Sequence, residues 1–165
     1  MEHPLDPARL GDHLDRLYRA AWALCGSRED AEDLVQETYE RVLARPRFLR
    51  NEDDLGYLLR ALRNTFLNRR RAERRRLRPD PLPDDLDLVR DPHAREPDVA
   101  LEAGELYRAI AGLPDDFRAV LVAVDVTGLS YREAARALRI REGTVMSRLY
   151  RARRQVIRSV EGGSA

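Results

Sequence analysis

The chain is 165 residues long, with 30 basic and 29 acidic side chains and a formal net charge of +1. Charged residues make up 36% and aromatics 6%, a balance that suits thin-cored helical bundles and disfavours a large β core. No apolar run approaches the roughly 20 residues of a membrane helix, so membrane insertion is excluded.

The opening MEHPLDPARLGDHLDRL lacks the basic start and apolar core of a secretory leader, so none is expected. The single cysteine, Cys25, excludes an internal disulfide framework and fits a reduced cytoplasm. Ala8 to about Cys25 reads as a helix with Leu10, Leu14, Leu17, Tyr18, Ala21 and Leu24 on one face. Gly26 stops it, and Ser27 caps a second helix whose first turn carries Glu29 and Asp30. Ala31, Leu34, Val35, Thr38, Tyr39, Val42 and Leu43 form its apolar stripe, and Pro46 marks its end. A loop over 45–51 leads to a third helix from about Glu52, striped by Leu55, Leu58, Leu59, Leu62, Phe66 and Leu67. Its end, NRRRAERRRLR, is too charged to be buried. Leu77–Pro97 breaks all periodicity with five prolines and scattered Asp, which reads as an extended acidic linker and a domain boundary. Four further helices are expected over Asp98–Gly112, Pro114–Val126, Ser130–Leu138 and Gly143–Val160. The expected fold class is all-α: two small helical domains, 8–76 and 98–160, joined by an acidic Pro-rich linker, 77–97. No strand of useful length is expected.

The near-neutral total conceals strong segregation. Met1–Glu40 carries 4 Arg against 10 acids, Arg41–Arg78 carries 13 against 4, Pro79–Tyr107 carries 2 against 9, and Arg108–Ala165 carries 11 against 6. Each of the two basic segments is thus able to meet phosphate on its own. All 30 basic residues are Arg, a side chain suited to bidentate contacts with guanine and phosphate. Its use at every surface position also reflects a GC-rich coding bias.

The second basic segment contains a helix-turn-helix. Ser130 and Glu133 have capping-box spacing at the head of a short helix with small residues Ala134 and Ala135. After a turn over Arg139–Glu142, Val145, Leu149, Ala152 and Val156 point inward, which leaves Thr144, Ser147, Arg148, Arg151 and Arg154 outward. Side chains at the start of such a second helix reach base edges in the major groove, and arginines further along suit phosphate.

Three stretches together resemble an extracytoplasmic-function (ECF) sigma factor of bacterial RNA polymerase. They are GSREDAEDLVQETYERVLA (26–44), YLLRALRNTFLNRRR (57–71) and LPDDFRAVLVAVDVTGLSYREAARALRIREGTVMSRLYRARRQV (113–156), and the likeness covers about Leu14 to Val156. The resemblance implies that Asp33, Leu34, Gln36, Glu37, Glu40 and Arg41 dock on the core polymerase. It implies that Arg47, Phe48 and Asn51, from the loop before the third helix, form a pocket for a flipped base of the start-proximal promoter element. Tyr57, Arg60, Arg63, Asn64, Asn68, Arg69 and Arg71 would face that element. Arg141, Glu142, Thr144, Ser147, Arg148, Arg151 and Arg154 would read the upstream element. Tyr57 stands where the family usually has Trp, and Met146 where GTVKSRL has Lys, which removes one cationic contact.

The implied partners are core RNA polymerase and promoter DNA, with an anti-sigma factor as a further candidate, in the cytoplasm, with no cofactor. His3, His13 and His93 are scattered, and there is no glycine-rich phosphate loop or nucleophile constellation, so neither a metal site nor an enzyme is expected. The alternatives are a stand-alone helix-turn-helix regulator, whose N-terminal helices would serve dimerisation or effector binding, and a helical adaptor, which leaves the arginine blocks unexplained.

Overall fold

A computed structural model describes residues 2–45, 48–50, 53–77 and 98–163. The chain enters through a short strand, β1 (Glu2–Pro4), a 3-10 segment (Pro7–His13) and α1 (Leu14–Cys25). α2 (Arg28–Ala44), β2 (Phe48–Arg50) and α3 (Asp54–Arg76) complete a first group of helices. The second comprises α4 (Asp98–Ala111), α5 (Asp115–Leu121), a π-helical segment (Val122–Val126), α6 (Tyr131–Leu138) and α7 (Glu142–Gly162). The expected linker lies outside the described residues apart from Leu77.

The helix boundaries follow local chemistry. Gly26 ends α1 in the left-handed region at φ 74°, and the Asp30 amide donates to Ser27 Oγ at 3.5 Å to start α2. Asp53 Oδ1 accepts from the Gly56 amide at 2.9 Å and caps α3. The capping box of α6 is complete: the Glu133 amide donates to Ser130 Oγ at 3.1 Å, and the Ser130 amide donates to Glu133 Oε2 at 2.7 Å.

Four expectations change. The first helix begins at Leu14, not Ala8, because Pro7–His13 form a 3-10 segment capped by Asp6, whose side chain accepts from the Ala8 amide at 2.9 Å. Leu14, expected on the apolar face, is 47% exposed, as is Leu43 of α2 at 49%. The expected loop over 45–51 contains β2, antiparallel to β1 with His3 opposite Leu49. Three-residue strands are too short to show alternation in the sequence. The helix expected over Pro114–Val126 widens after Leu121, where the Thr127 amide bonds to Val122 O and Thr127 Oγ1 donates to Ala123 O at 2.6 Å.

Both helix groups contribute to one continuous apolar core. Leu17, Ala20, Ala21 and Ala23 of α1, Leu34 of α2, Leu58 and Leu62 of α3, and Val120, Val145 and Leu149 beyond the linker are all essentially inaccessible. α1 packs against α2, α3, α4 and the π segment, and α3 packs against α6. Trp22 of α1 meets Tyr107 of α4 with ring centroids 4.3 Å apart. Around this seam Asp115 joins two arginines, Arg70 of α3 and Arg118 of α5, each at 3.0 Å. Arg118 is buried; its Nη2 donates to Leu113 O at 2.7 Å and its guanidinium lies 5.5 Å over the Phe66 ring. Burial, the largest influence, lowers its pKa, while Asp115 acts in the other direction.

Gly26 is needed twice: for its positive φ, and because a Cβ there would sit 3.2 Å from Ala111 Cβ. Gly26→Ala is therefore expected to destabilise the fold by about 1–2 kcal/mol, read as a lowered urea midpoint at unchanged m-value.

Candidate nucleic-acid and partner-docking faces

On α2 the core side consists of Ala31, Leu34, Val35, Thr38 and Val42. Asp33, Gln36, Glu40 and Arg41 are exposed on the opposite side, with Glu37 half-buried beside them. Leu34 departs from its implied docking role: with no exposed surface it supports this face from beneath and presents nothing to a partner. Glu37 is also committed internally, bonded to Arg41 at 2.9 Å and to Arg69 of α3.

On α3, Tyr57, Arg60, Asn64, Asn68 and Arg71 recur at three- and four-residue spacing opposite the buried Leu55, Leu58, Leu59, Leu62 and Phe66, and so share one outward side. Asn64, Asn68 and Arg71 are exposed there, and Arg63 lies half-buried on a flank. The structure divides the arginine run. Arg69 turns back to Glu37, Arg70 turns to Asp115, and Arg71 alone of the three keeps to the outward side. Arg69 is thus not brought together with Asn64 and Asn68. Arg47 and Asn51 lie outside the described residues, as does the side chain of Phe48, whose backbone belongs to β2. Leu49, between them, is buried and anchors the strand. His3, opposite it, contacts Asp54 in the first turn of α3 at 3.1 Å.

The sharpest geometry belongs to α6 and α7. The turn between them places Arg139 at φ 57°, where the Ile140 amide bonds back to Ala135 O. Val145, Leu149, Ala152 and Val156 are buried as expected. Arg141, Glu142, Ser147, Arg151 and Arg154 are exposed, and Thr144 and Arg148 are half-buried. Two acids outside α7 touch its arginines: Asp116 lies 3.9 Å from Arg148, and Asp125 grips Arg153 bidentately at 2.7 and 2.9 Å. The latter hydrogen bond is the main cause of the raised Arg153 pKa and ties α7 to the π segment. Glu142 faces Arg132 of α6 at 3.4 Å. Arg153, Asp116 and Asp125 were missed in the sequence because their partners are distant in the chain.

Among the described residues no helix is long and apolar enough to cross a membrane. Cys25 is half-buried, and burial is the main influence pushing its thiol up from 9.0 to about 12.

The chain forms two helical groups, the second with a basic helix-turn-helix, and comparison with known proteins gives the family. The family model for sigma-70 region 2 matches residues 10–76, and that for sigma-70 region 4 matches residues 103–156. The ECF RNA polymerase sigma factor SigE of Mycolicibacterium smegmatis is 41% identical over 148 residues, which cover 87% of this chain and 57% of that protein. The chain therefore spans little more than half of that relative. SigL of Mycobacterium tuberculosis, another ECF sigma factor, is 32% identical over 156 residues, covering 92% of this chain and 86% of its own. The sigma factor RpoE of Bartonella quintana, solved in complex with the anti-sigma factor NepR, matches with a TM-score of 0.74 at 25% identity, covering 93% of this chain and 95% of its own. The chain belongs to the ECF family of RNA polymerase sigma factors. The region 2 match accounts for the N-terminal helices that a stand-alone regulator would use for dimerisation or effector binding.

The Cys25 thiol keeps its proton in the folded state up to about pH 12, whereas in the unfolded chain it ionises near 9.0. Its contribution to stability is therefore full below pH 9 and is lost as pH rises through that interval. Iodoacetamide at pH 8.5 is expected to label Cys25 slowly in the native protein and at the rate of a free thiol in urea.

Proposed function

We propose that this chain acts as the promoter-specificity subunit of a bacterial RNA polymerase in the cytoplasm. In this reading residues 8–76 dock on the core enzyme and capture the start-proximal element, residues 98–160 read the upstream element, and residues 77–97 connect the two. The observation that carries it is the coexistence of three differently charged faces on one core: mostly acidic on α2, polar and basic on α3, basic on α7. An acidic face suits a basic protein surface and repels DNA, whereas the other two suit phosphate and bases. Asp33, Gln36, Glu37, Glu40 and Arg41 form the polymerase-docking face, with Leu34 as its buried support.

Melting proceeds in this reading without nucleotide hydrolysis and without a cofactor, so the chain carries no chemistry of its own. Unstacking a base costs a few kcal/mol, and a pocket built by Arg47, Phe48 and Asn51 offsets that cost by stacking and hydrogen bonding. Tyr57, Arg60, Arg63, Asn64, Asn68 and Arg71 hold the neighbouring strand, and Arg69 orders α3 through Glu37. On α7, Thr144, Ser147 and Arg148 with Arg141 and Glu142 lie nearest the bases, and Arg151 and Arg154 nearest phosphate. Two contacts on one scaffold raise each other's effective concentration, so neither must be tight alone. An anti-sigma factor is a further proposed partner, supported by the likeness to Bartonella quintana RpoE, which was solved with one.

Run-off transcription on a genomic promoter library tests the proposal: specific transcripts are expected only when this chain and core polymerase are both present. Promoter footprints from the chain alone, with no core binding, would overturn it. Glu40→Arg is expected to weaken core association at least several-fold in a pull-down while leaving thermal stability unchanged. Glu37→Arg should lower both, because it also removes the partner of Arg41 and Arg69. Arg148→Ala is expected to cost about 1–3 kcal/mol at one upstream base pair, measured by competition with single-substituted promoters.

A further inference from the structure

The outward surface of α7 carries two parallel rows. Ser147, Arg151 and Arg154 make a polar row, and beside it Met146 and Tyr150 begin a second row that runs on through Arg153 to the exposed Ile157. Met146 is 55% exposed and Tyr150 62% exposed, although the next residues inward, Val145 and Leu149, are fully buried. Both belong to the first half of the helix, the part that enters a groove first. Arg154 lies 5.6 Å over the Tyr150 ring and its Nη1 donates to Tyr150 OH at 3.4 Å, which holds the aromatic ring on the basic side of the helix. The unbranched, polarizable methionine chain adapts to apolar partners, so Met146 in an otherwise arginine-rich stretch is suited to an apolar counterpart.

In the major groove only one base offers such a counterpart: thymine, through its 5-methyl group. A lysine or arginine at this place would seek phosphate or the O6 and N7 acceptors of guanine. Met146 has no proton to donate and is able to contact a methyl from any of several rotamers. We infer that Met146, backed by Tyr150, is a specificity-determining residue that reads the methyl group of a thymine in the upstream promoter element. This rests on the proposed reading in which α7 enters that element. Continuity with the Ser147–Arg151–Arg154 row favours DNA over a protein as the occupant of the row begun by Met146 and Tyr150.

The test uses holoenzyme assembled from the full chain and bacterial core polymerase, with a promoter fragment that this holoenzyme selects from a library randomised across the upstream element. Each thymine is replaced in turn by deoxyuridine, which removes the methyl and keeps every hydrogen bond. One position is expected to lose about fourfold in affinity, the value for one buried methyl-sized group. In Met146→Ala holoenzyme the same replacement should be neutral, and Met146→Arg should move the preference there to a G·C pair. Circular dichroism is expected to be unchanged for both variants. The inference is overturned if the wild type is indifferent to every methyl while Arg151→Ala still weakens upstream binding. It is also overturned if Met146→Ala lowers affinity equally on thymine and deoxyuridine DNA, which would mark the row as a protein contact. If Arg151→Ala also leaves upstream binding intact, α7 does not read the element and both readings fall.

Discussion

Alanines at 20, 21 and 23 allow α1 to be touched on several sides at once. None has exposed surface, and α2, α3, α4 and the π segment all pack against this one helix. Small side chains permit close approach, so a chain with few aromatics still builds a continuous core from short amphipathic helices. Gly26 and Gly56 extend the same logic: one faces Ala111 and the other Ala137, both across the linker in sequence. Every functional face stands on this arrangement, because each is the reverse side of a helix whose apolar stripe is held by α1 or by its immediate neighbours.

The charges are sorted by the same packing. Arginines that fall beside a neighbouring carboxylate pair with it: Arg69 with Glu37, Arg70 and Arg118 with Asp115, Arg153 with Asp125. Pairs with solvent access contribute little to stability individually, about 0–1 kcal/mol, and their structural effect is to fix direction. The arginines left outward, such as Arg71 and Arg151, are exposed on the faces assigned to DNA. An all-arginine surface therefore serves two purposes, since the planar guanidinium suits both a carboxylate neighbour and a phosphate.

Much of this was legible beforehand. α2, α6 and the inward residues of α7 follow from caps and three-and-four spacing, because Ser27, the Ser130–Glu133 pair and the Val145–Leu149–Ala152–Val156 series each specify a local geometry. The family likeness rests on the same stretches. What escaped is tertiary in origin. β1 and β2 are three residues each and gain their pairing only when Leu49 is buried and His3 reaches Asp54. The direction of each arginine in the 69–71 run depends on which acid the fold brings near. Leu34 was counted among docking residues through its motif, although its place on the apolar stripe already indicated burial.

Asp115 has one further consequence, in the thermodynamics of ions. Arg70 already has a carboxylate at 3.0 Å, so it is less available to a phosphate than an unpaired cation. A phosphate that takes Arg70 must first displace Asp115, and that exchange leaves a carboxylate unpaired. The dependence of DNA affinity on ionic strength therefore reflects the outward arginines of α3, such as Arg71, rather than Arg70. The slope of affinity against salt is thus a gauge of how many arginines the fold has left outward.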